Sequence, residues 1–98
     1  MTNTTKVLFR KWLNGEVIAL MPYVPADVNG IYSDSYEHVG QHGAADAEGL
    51  IGRTVPAIPS EFAALKRELE SIGYAIEVIQ RIPRNASNVR RAAARGAK

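Results

Sequence analysis

Two runs of mainly apolar residues flank an Asn-Gly pair near the start of the chain. Asn14-Gly15 is the preferred pair for a two-residue type I′ hairpin turn, because both central positions of that turn have positive φ. Such a turn pairs Leu8 with Met21 and, next along the strands, Phe9 with Leu20. Both faces of this hairpin are then largely apolar, one with Val7, Phe9, Ile18 and Leu20, the other with Leu8, Arg10, Trp12, Val17, Ala19 and Met21. We therefore expect a helix, a folded-back loop or a second subunit of a homo-oligomer to cover both faces.

Residues 59 to 72 have the period of an amphipathic α-helix. Pro59 suits the first turn of that helix, and Gly73 suits its C-cap. The apolar stripe recurs at intervals of three and four residues and consists of Phe62, Leu65, Leu69 and Ile72. The segment 74–82 alternates instead, with Tyr74, Ile76 and Val78 on one side, which predicts a strand.

These elements predict a small two-layer α+β domain over residues 1–82. The hairpin and the C-terminal strand form an antiparallel or mixed sheet, and one main helix packs on it. Pro22 and Pro25 end the second strand and begin a long, loop-rich middle. Within that middle, the side chains of residues 31–39 alternate weakly in character, which is compatible with a short strand. Residues 44–54 suit one or two helical turns.

The charge distribution sets residues 83–98 apart as a basic tail. Ten acidic residues and six of the twelve basic ones lie in residues 1–80, whereas residues 81–98 hold six basic residues and no acid. The tail is rich in alanine and predicts a frayed helix or a disordered extension. Its candidate contacts to nucleic-acid phosphates are Arg84, Arg90, Arg91, Arg95 and Lys98. The alternative is a solubilising extension, since no aromatic residue lies between the arginines.

Length and composition exclude several classes of protein. Ninety-eight residues accommodate one core, and the absence of cysteine excludes disulfides, thiolate metal sites and a cysteine nucleophile. The N-terminal segment lacks the apolar core of a signal peptide, and no run approaches the roughly 18 apolar residues of a membrane span. We therefore expect a cytoplasmic protein without a membrane partner.

Both histidines fall in one polar, glycine-containing stretch, residues 35–46, with the sequence SYEHVGQHGAAD. The spacing of His38, His42 and Asp46 would put three metal ligands on one face of a helix, with Asp34 or Glu37 as a fourth. Glycines 40 and 43 disfavour that helix. A histidine acting as general base with a neighbouring carboxylate is the enzymatic alternative. No nucleophile elbow or phosphate loop accompanies it, so we assign no catalytic residue and no cofactor beyond this weak divalent-metal site.

The same stretch predicts a binding loop for a protein or a nucleotide-like ligand. Its side chains combine aromatic surface with hydrogen-bond donors and acceptors, and its glycines allow close approach to the backbone. The candidate contacts are Tyr36, His38, Gln41, His42 and Asp46. The structural alternative is that Tyr36 covers the open hairpin face and the histidines only hold the loop in place.

Three segments resemble a family of small uncharacterised proteins from bacteriophages and bacterial mobile elements. They are VLFRKWLNGEVIALMP, SYEHVGQHGAAD and ELESIGYAIEVIQR, within residues 6–82, and HVGQHG at 38–43 is the most specific. The resemblance implies a genomic setting inside a bacterial host. We therefore predict a non-enzymatic accessory protein that binds a host or viral macromolecule or a ligand, for example a modulator of host defence. The alternatives are a nucleic-acid-binding accessory protein that uses the tail and, third, a metal-dependent hydrolase.

Overall fold

The computed structural model of the chain describes residues 4–37 and 41–96, and for Gln41 and His42 it describes the backbone alone. The fold is α+β, as predicted. Its elements in chain order are β1 (Thr5–Lys11), β2 (Val17–Pro25), β3 (Ser33–Glu37), β4 (Gln41–Ala45), α1 (Ala47–Ile51), β5 (Val55–Pro56), α2 (Pro59–Ser71), β6 (Ile76–Val78) and α3 (Ala86–Gly96).

Six strands form one mixed sheet in the order β4-β3-β2-β1, and β5 and β6 share the outer edge of β1. β5 pairs antiparallel with Arg10 and Lys11, whereas β6 pairs parallel with residues 5–7 at the other end of β1. The C-terminal strand therefore joins the hairpin sheet as predicted, after a connection that contains α2.

The hairpin register differs by one residue from the predicted one. Leu8 pairs with Leu20 and Phe9 with Ala19, because the loop has three residues rather than two. The Trp12 N–H donates to the Glu16 carbonyl at 2.8 Å, and Gly15 ends the loop with φ of 90°. This is the three-residue hairpin loop in which only the last residue needs the left-handed region. A slip of one residue exchanges the two faces of β2 relative to β1, so the predicted faces were wrong.

Each face of the sheet is covered by helices of the same chain. On the α2 side, Phe9 stacks on Phe62 with ring centroids 4.3 Å apart. That cluster consists of Val7, Phe9, Ala19, Met21, Tyr36, Ala57, Phe62, Leu65 and Leu69. On the other side, Leu8, Ile18 and Leu20 pack with Ala45, Ala47 and Leu50. Ile72, predicted as the end of the helix stripe, lies beyond α2 and is 53% exposed.

The middle of the chain contains more strand than its composition indicates. β2 does not end at Pro22 as predicted but continues to Pro25. The ladder between β2 and β3 is irregular after Met21, so the missing N–H of each proline removes no regular ladder hydrogen bond. Residues 41–45 form β4 rather than a loop. The Ser35 hydroxyl donates to the Gly43 carbonyl at 2.8 Å, and the Ser33 hydroxyl donates to the Ala45 carbonyl at 3.3 Å. Pairing with β3 thus overrides the low strand propensity of Gly43 and its alanine neighbours.

The predicted tail forms helix α3, which packs against β2. Its buried residues are Ala86, Arg90 and Ala94, spaced by four so that they share one face. Tyr23 of β2 donates its hydroxyl hydrogen to the Asn85 side chain at 3.0 Å, just before the helix begins. Tertiary packing therefore orders a segment whose own helix propensity is marginal.

Candidate functional site

The structure separates the candidate residues of the 35–46 stretch. Tyr36 is 1% exposed and belongs to the core on the α2 side, which agrees with the structural alternative for this residue. Asp46 caps α1 by accepting the Gly49 N–H at 3.2 Å. Gln41 and His42 lie in β4 opposite Glu37 and Tyr36. His38 lies outside the described residues.

The predicted metal site stays a prediction. His42 is in a strand and Asp46 precedes a helix, so the two do not share a helical face as the spacing suggested. Among the side chains that the structure describes, no three His, Asp or Glu residues gather in a way that could hold a metal ion. His38 and His42 are not part of that set.

Asp34, one of the two predicted fourth metal ligands, lies on the α2 side of the sheet near Tyr74. Burial raises the pKa of Tyr74, and the charges of Asp34 and Tyr36 raise it further. Tyr74 itself packs against the cluster that contains Tyr36. The phenol of Tyr74 therefore stays protonated at neutral pH.

A buried arginine on the first strand fixes α1 to the sheet, a role that the local sequence pattern does not indicate. Arg10 donates from Nε to the Thr54 hydroxyl at 2.9 Å and from Nη2 to the carbonyls of Thr54 at 2.7 Å and Ile51 at 3.1 Å. Burial lowers the pKa of Arg10. Since the cation meets carbonyl groups at the C-terminal end of α1, the helix dipole also favours its charge there.

Arg90 has the same role for α3. The residue is 2% exposed, and its guanidinium donates to the carbonyls of Gly30 at 2.8 Å, Pro22 at 2.9 Å and Ile31 at 3.0 Å. Glu48 of α1 lies 3.6 Å from Nη2. Each of the three guanidinium nitrogens therefore has a protein partner, and the buried Arg90 side chain is not presented to a phosphate in this structure. The Ala86-Arg90-Ala94 spacing was the available signal, because small neighbours allow a long side chain to enter the interface.

The remaining tail candidates are placed differently. Arg84, Arg91 and Arg95 are exposed on or just before α3, and Lys98 lies outside the described residues. Of these tail arginines, one therefore stabilises the packing of α3 and three face solvent.

A concave surface lies between α2 and the end of the sheet that carries the β1–β2 loop and the C-terminal end of β3. We call it the acidic groove; it has a volume of about 730 Å³ and is lined by Glu16, Val17, Glu37, Glu61, Ala64, Leu65, Arg67 and Glu68. Val17, Ala64 and Leu65 provide apolar surface, and four carboxylates and one guanidinium surround it. Glu37 is the member of the 35–46 stretch that reaches the groove. Because the lining comes from three distant segments, local sequence pattern does not indicate it.

One carboxylate of the groove is tied to the start of α2. Glu61 accepts the Ile58 N–H at 3.0 Å and forms an ion pair with Lys11 of β1. The pKa of Glu61 is lowered first by the Ile58 hydrogen bond and then by Lys11. Glu61 is therefore ionised at neutral pH, and Lys11 offsets part of its charge.

A second cleft continues from the acidic groove around the hairpin loop. It is lined by Trp12, Leu13, Asn14, Glu16, Glu37, Gly52 and Arg53, and it shares Glu16 and Glu37 with the groove. Leu13 is 96% exposed at the tip of the loop. The two clefts thus form one continuous surface in which apolar side chains stand among glutamates.

No family model, curated protein or solved structure matches the chain. The relation to phage and mobile-element proteins therefore stays a prediction. In residues 4–37 and 41–96, no helix has the length and apolar character needed to cross a membrane.

Proposed function

We propose that the protein is a non-enzymatic accessory protein that binds another protein through the acidic groove. The observation that supports this proposal is the combination of an apolar floor with surrounding carboxylates in one open, elongated surface. Ligand sites are concave and largely apolar, with polar groups that orient the ligand. The groove has both properties.

The charge of the groove indicates the chemistry of its partner. Glu16 is exposed and Glu37 half-buried where the two clefts meet, and Glu61 and Glu68 lie along α2. Arg67 is the one basic residue among the residues that line the groove. A partner segment with lysines or arginines gains electrostatic steering there, whereas an acidic segment is repelled.

The hairpin tip suggests that the partner also supplies an apolar side chain. Leu13 is almost fully exposed, and Trp12 beside it is half-buried. A large exposed apolar side chain next to a groove is available for the apolar core of a protein interface. We therefore infer a basic segment that carries at least one large apolar residue.

The biological setting belongs to the same proposal. The HVGQHG block follows Glu37 directly in the chain, and it is the part that most resembles phage and mobile-element proteins. An accessory protein that binds a host or viral protein in the bacterial cytoplasm fits this setting.

A peptide selection tests the proposal while leaving the identity of the partner open. Random 12-residue peptides displayed on phage are selected on the intact protein, and enriched peptides are synthesised with fluorescein for anisotropy measurements. We expect enriched sequences to contain several basic residues and a large apolar one. Reversal of two rim charges, Glu16→Lys with Glu37→Lys, should weaken their binding about tenfold, equivalent to ~1.4 kcal/mol.

The matched control makes the same change in net charge at positions outside the groove. Glu70→Lys with Glu77→Lys removes two exposed ion pairs, with Lys66 and Lys6, outside the groove. Such pairs contribute little to stability, and binding should change less than about twofold. Failure to enrich basic peptides, or equal binding to both double variants, would contradict the proposal.

A further inference from the structure

Helix α3 presents exposed arginines on a fixed platform. Arg91 and Arg95 are four residues apart and so lie on one side of the helix, and Arg84 precedes its first turn. The buried Arg90 and the Tyr23–Asn85 hydrogen bond attach this helix to β2. The arginines are therefore carried by an ordered surface and not by a flexible tail.

The turn between β2 and β3, residues 26–32, packs directly on this helix. Gly30 has φ of 70°, and a Cβ atom placed on it would lie 2.7 Å from the Cα of Arg91. The carbonyls of Gly30 and Ile31 accept hydrogen bonds from Arg90. The turn backbone and the α3 backbone are thus in contact at the position of the first exposed arginine of the helix.

The same turn carries exposed aromatic and apolar side chains. Tyr32 is 45% exposed, and its backbone N–H is held by the Asp27 carboxylate at 2.9 Å. The other exposed apolar side chains of the turn and helix are Val28, Ile31 and Val89. The acids beside this surface are already engaged, Asp27 with the Tyr32 N–H and Glu48 with Arg90.

We propose that α3 and the 26–32 turn form a binding surface for single-stranded nucleic acid. Arg84, Arg91 and Arg95 contact phosphates, and Tyr32 stacks on an exposed base. Proteins that bind single strands combine a basic track with aromatic stacking surface, and the fold supplies here the aromatic residue that is missing from the tail sequence.

The observations favour a single strand over two other anionic partners. An exposed tyrosine can stack only on bases that are unpaired, so duplex DNA would use the arginines alone. A helix that lies in a membrane surface needs large apolar side chains along its length. The exposed part of α3 instead carries arginine and alanine, with Val89 as its larger apolar residue.

Fluorescence anisotropy with a fluorescein-labelled 20-nucleotide oligo(dT) tests this assignment on the intact protein. Three neutralised phosphates correspond to a slope of about −2 in log affinity against log salt for a single strand. Binding should therefore weaken about 20-fold between 50 and 200 mM NaCl. The triple variant Arg84→Gln, Arg91→Gln and Arg95→Gln should lose most of that dependence and bind at least tenfold more weakly at 50 mM.

Two controls separate a built surface from general positive charge. The triple variant Lys6→Gln, Lys66→Gln and Arg81→Gln makes the same charge change elsewhere and should weaken binding less than about threefold. Tyr32→Leu should weaken binding at least about fivefold, whereas Tyr32→Phe should bind like the wild type, because both tyrosine and phenylalanine stack.

Several results would overturn the inference. Among them are an absence of salt-dependent binding, equal loss in the two triple variants, and no effect of Tyr32→Leu. Tighter binding to a 20-base-pair duplex, or to phosphatidylcholine/phosphatidylserine vesicles, would assign the surface to another partner. Deleting residues 84–98 is not an equivalent test, since it also removes Arg90 and uncovers β2. The outcome is independent of the acidic groove, whose rim charges are on other elements.

Discussion

Replacement of Arg90 by alanine should destabilise the protein severely, although its position in an arginine-rich tail suggests a tolerant site. The guanidinium donates three hydrogen bonds of 2.8 to 3.0 Å to backbone carbonyls, two of them buried and the one to Ile31 partly buried. A hydrogen bond to a charged group contributes roughly 1.5–3 kcal/mol, but three on one side chain do not add, because the cost of burying the charge is also removed. We expect a loss of about 3–5 kcal/mol, because the variant leaves backbone carbonyls without donors and also removes the packing of a long buried side chain.

Urea unfolding followed by the fluorescence of Trp12 measures this loss. Trp12 packs against the core on the side opposite α2, so its emission should report global unfolding. With a denaturant slope of about 1–1.5 kcal/mol/M, the midpoint should fall by about 2–5 M. Total stabilities of single domains are about 5–15 kcal/mol, so a loss of this size removes a large part of the whole. Arg90→Lys is then the informative variant, because an ammonium cannot reproduce the three-way fork and should lose an intermediate amount.

The adjacent residue offers the control. Arg91 is exposed on the same helix and makes no hydrogen bond among those the structure describes, so Arg91→Ala should change stability by less than about 0.5 kcal/mol. If Arg90→Ala and Arg91→Ala unfolded at the same urea concentration, the carbonyl contacts would not stabilise α3, and its proposed role as a fixed platform would be refuted.

Two further predictions concern other contacts. Gly30→Ala should cost more than about 2 kcal/mol in urea unfolding, since it adds a clash with the α3 backbone to the strain at positive φ; Gly15→Ala, where no atom lies within 4 Å, should cost only the strain of about 1–2 kcal/mol. Glu61→Gln should make stability less dependent on pH. The folded pKa of Glu61 is lowered by the Ile58 hydrogen bond and by Lys11, so its contribution is present at neutral pH and lost as pH falls through that lowered value. The wild type should therefore lose more between pH 7 and pH 3 than the variant, and equal losses would contradict this.

Local sequence pattern predicts those elements whose secondary structure depends mainly on their own residues. Helix α2 and the strand with Ile76 and Val78 show clear periodicity, and the structure contains both. The sequence also predicts the hairpin, but it does not determine which residues of the two strands pair. Asn14-Gly15 suits a two-residue loop and equally the end of a three-residue loop. Because both faces of the hairpin are apolar, burial pattern did not discriminate between the two registers.

The features that escaped prediction depend on contacts between distant segments. β4 is a strand because β3 offers an open edge, and the hydrogen bonds of Arg90 depend on carbonyls of residues that lie about sixty or more positions earlier, such as Gly30 and Pro22. The 35–46 stretch was predicted as a contact loop, yet Tyr36 lies in the core and Asp46 caps a helix. Glu37 alone of its described side chains reaches the acidic groove, whose other members lie far away in sequence.

The pairing of β6 with β1 has a consequence for the order of folding. Thr5 pairs with Ile76 in a parallel ladder, and Pro22 receives Arg90 across almost as great a separation. Contacts of such high sequence separation form slowly, since the entropy cost of closing a long loop comes before any stabilising contact is made. During synthesis the face of the N-terminal hairpin that packs on α2 therefore stays exposed until α2 has been made, whereas residues 45–50 are available earlier to cover the other face. This interval is when the chain is most vulnerable to aggregation and most dependent on chaperones.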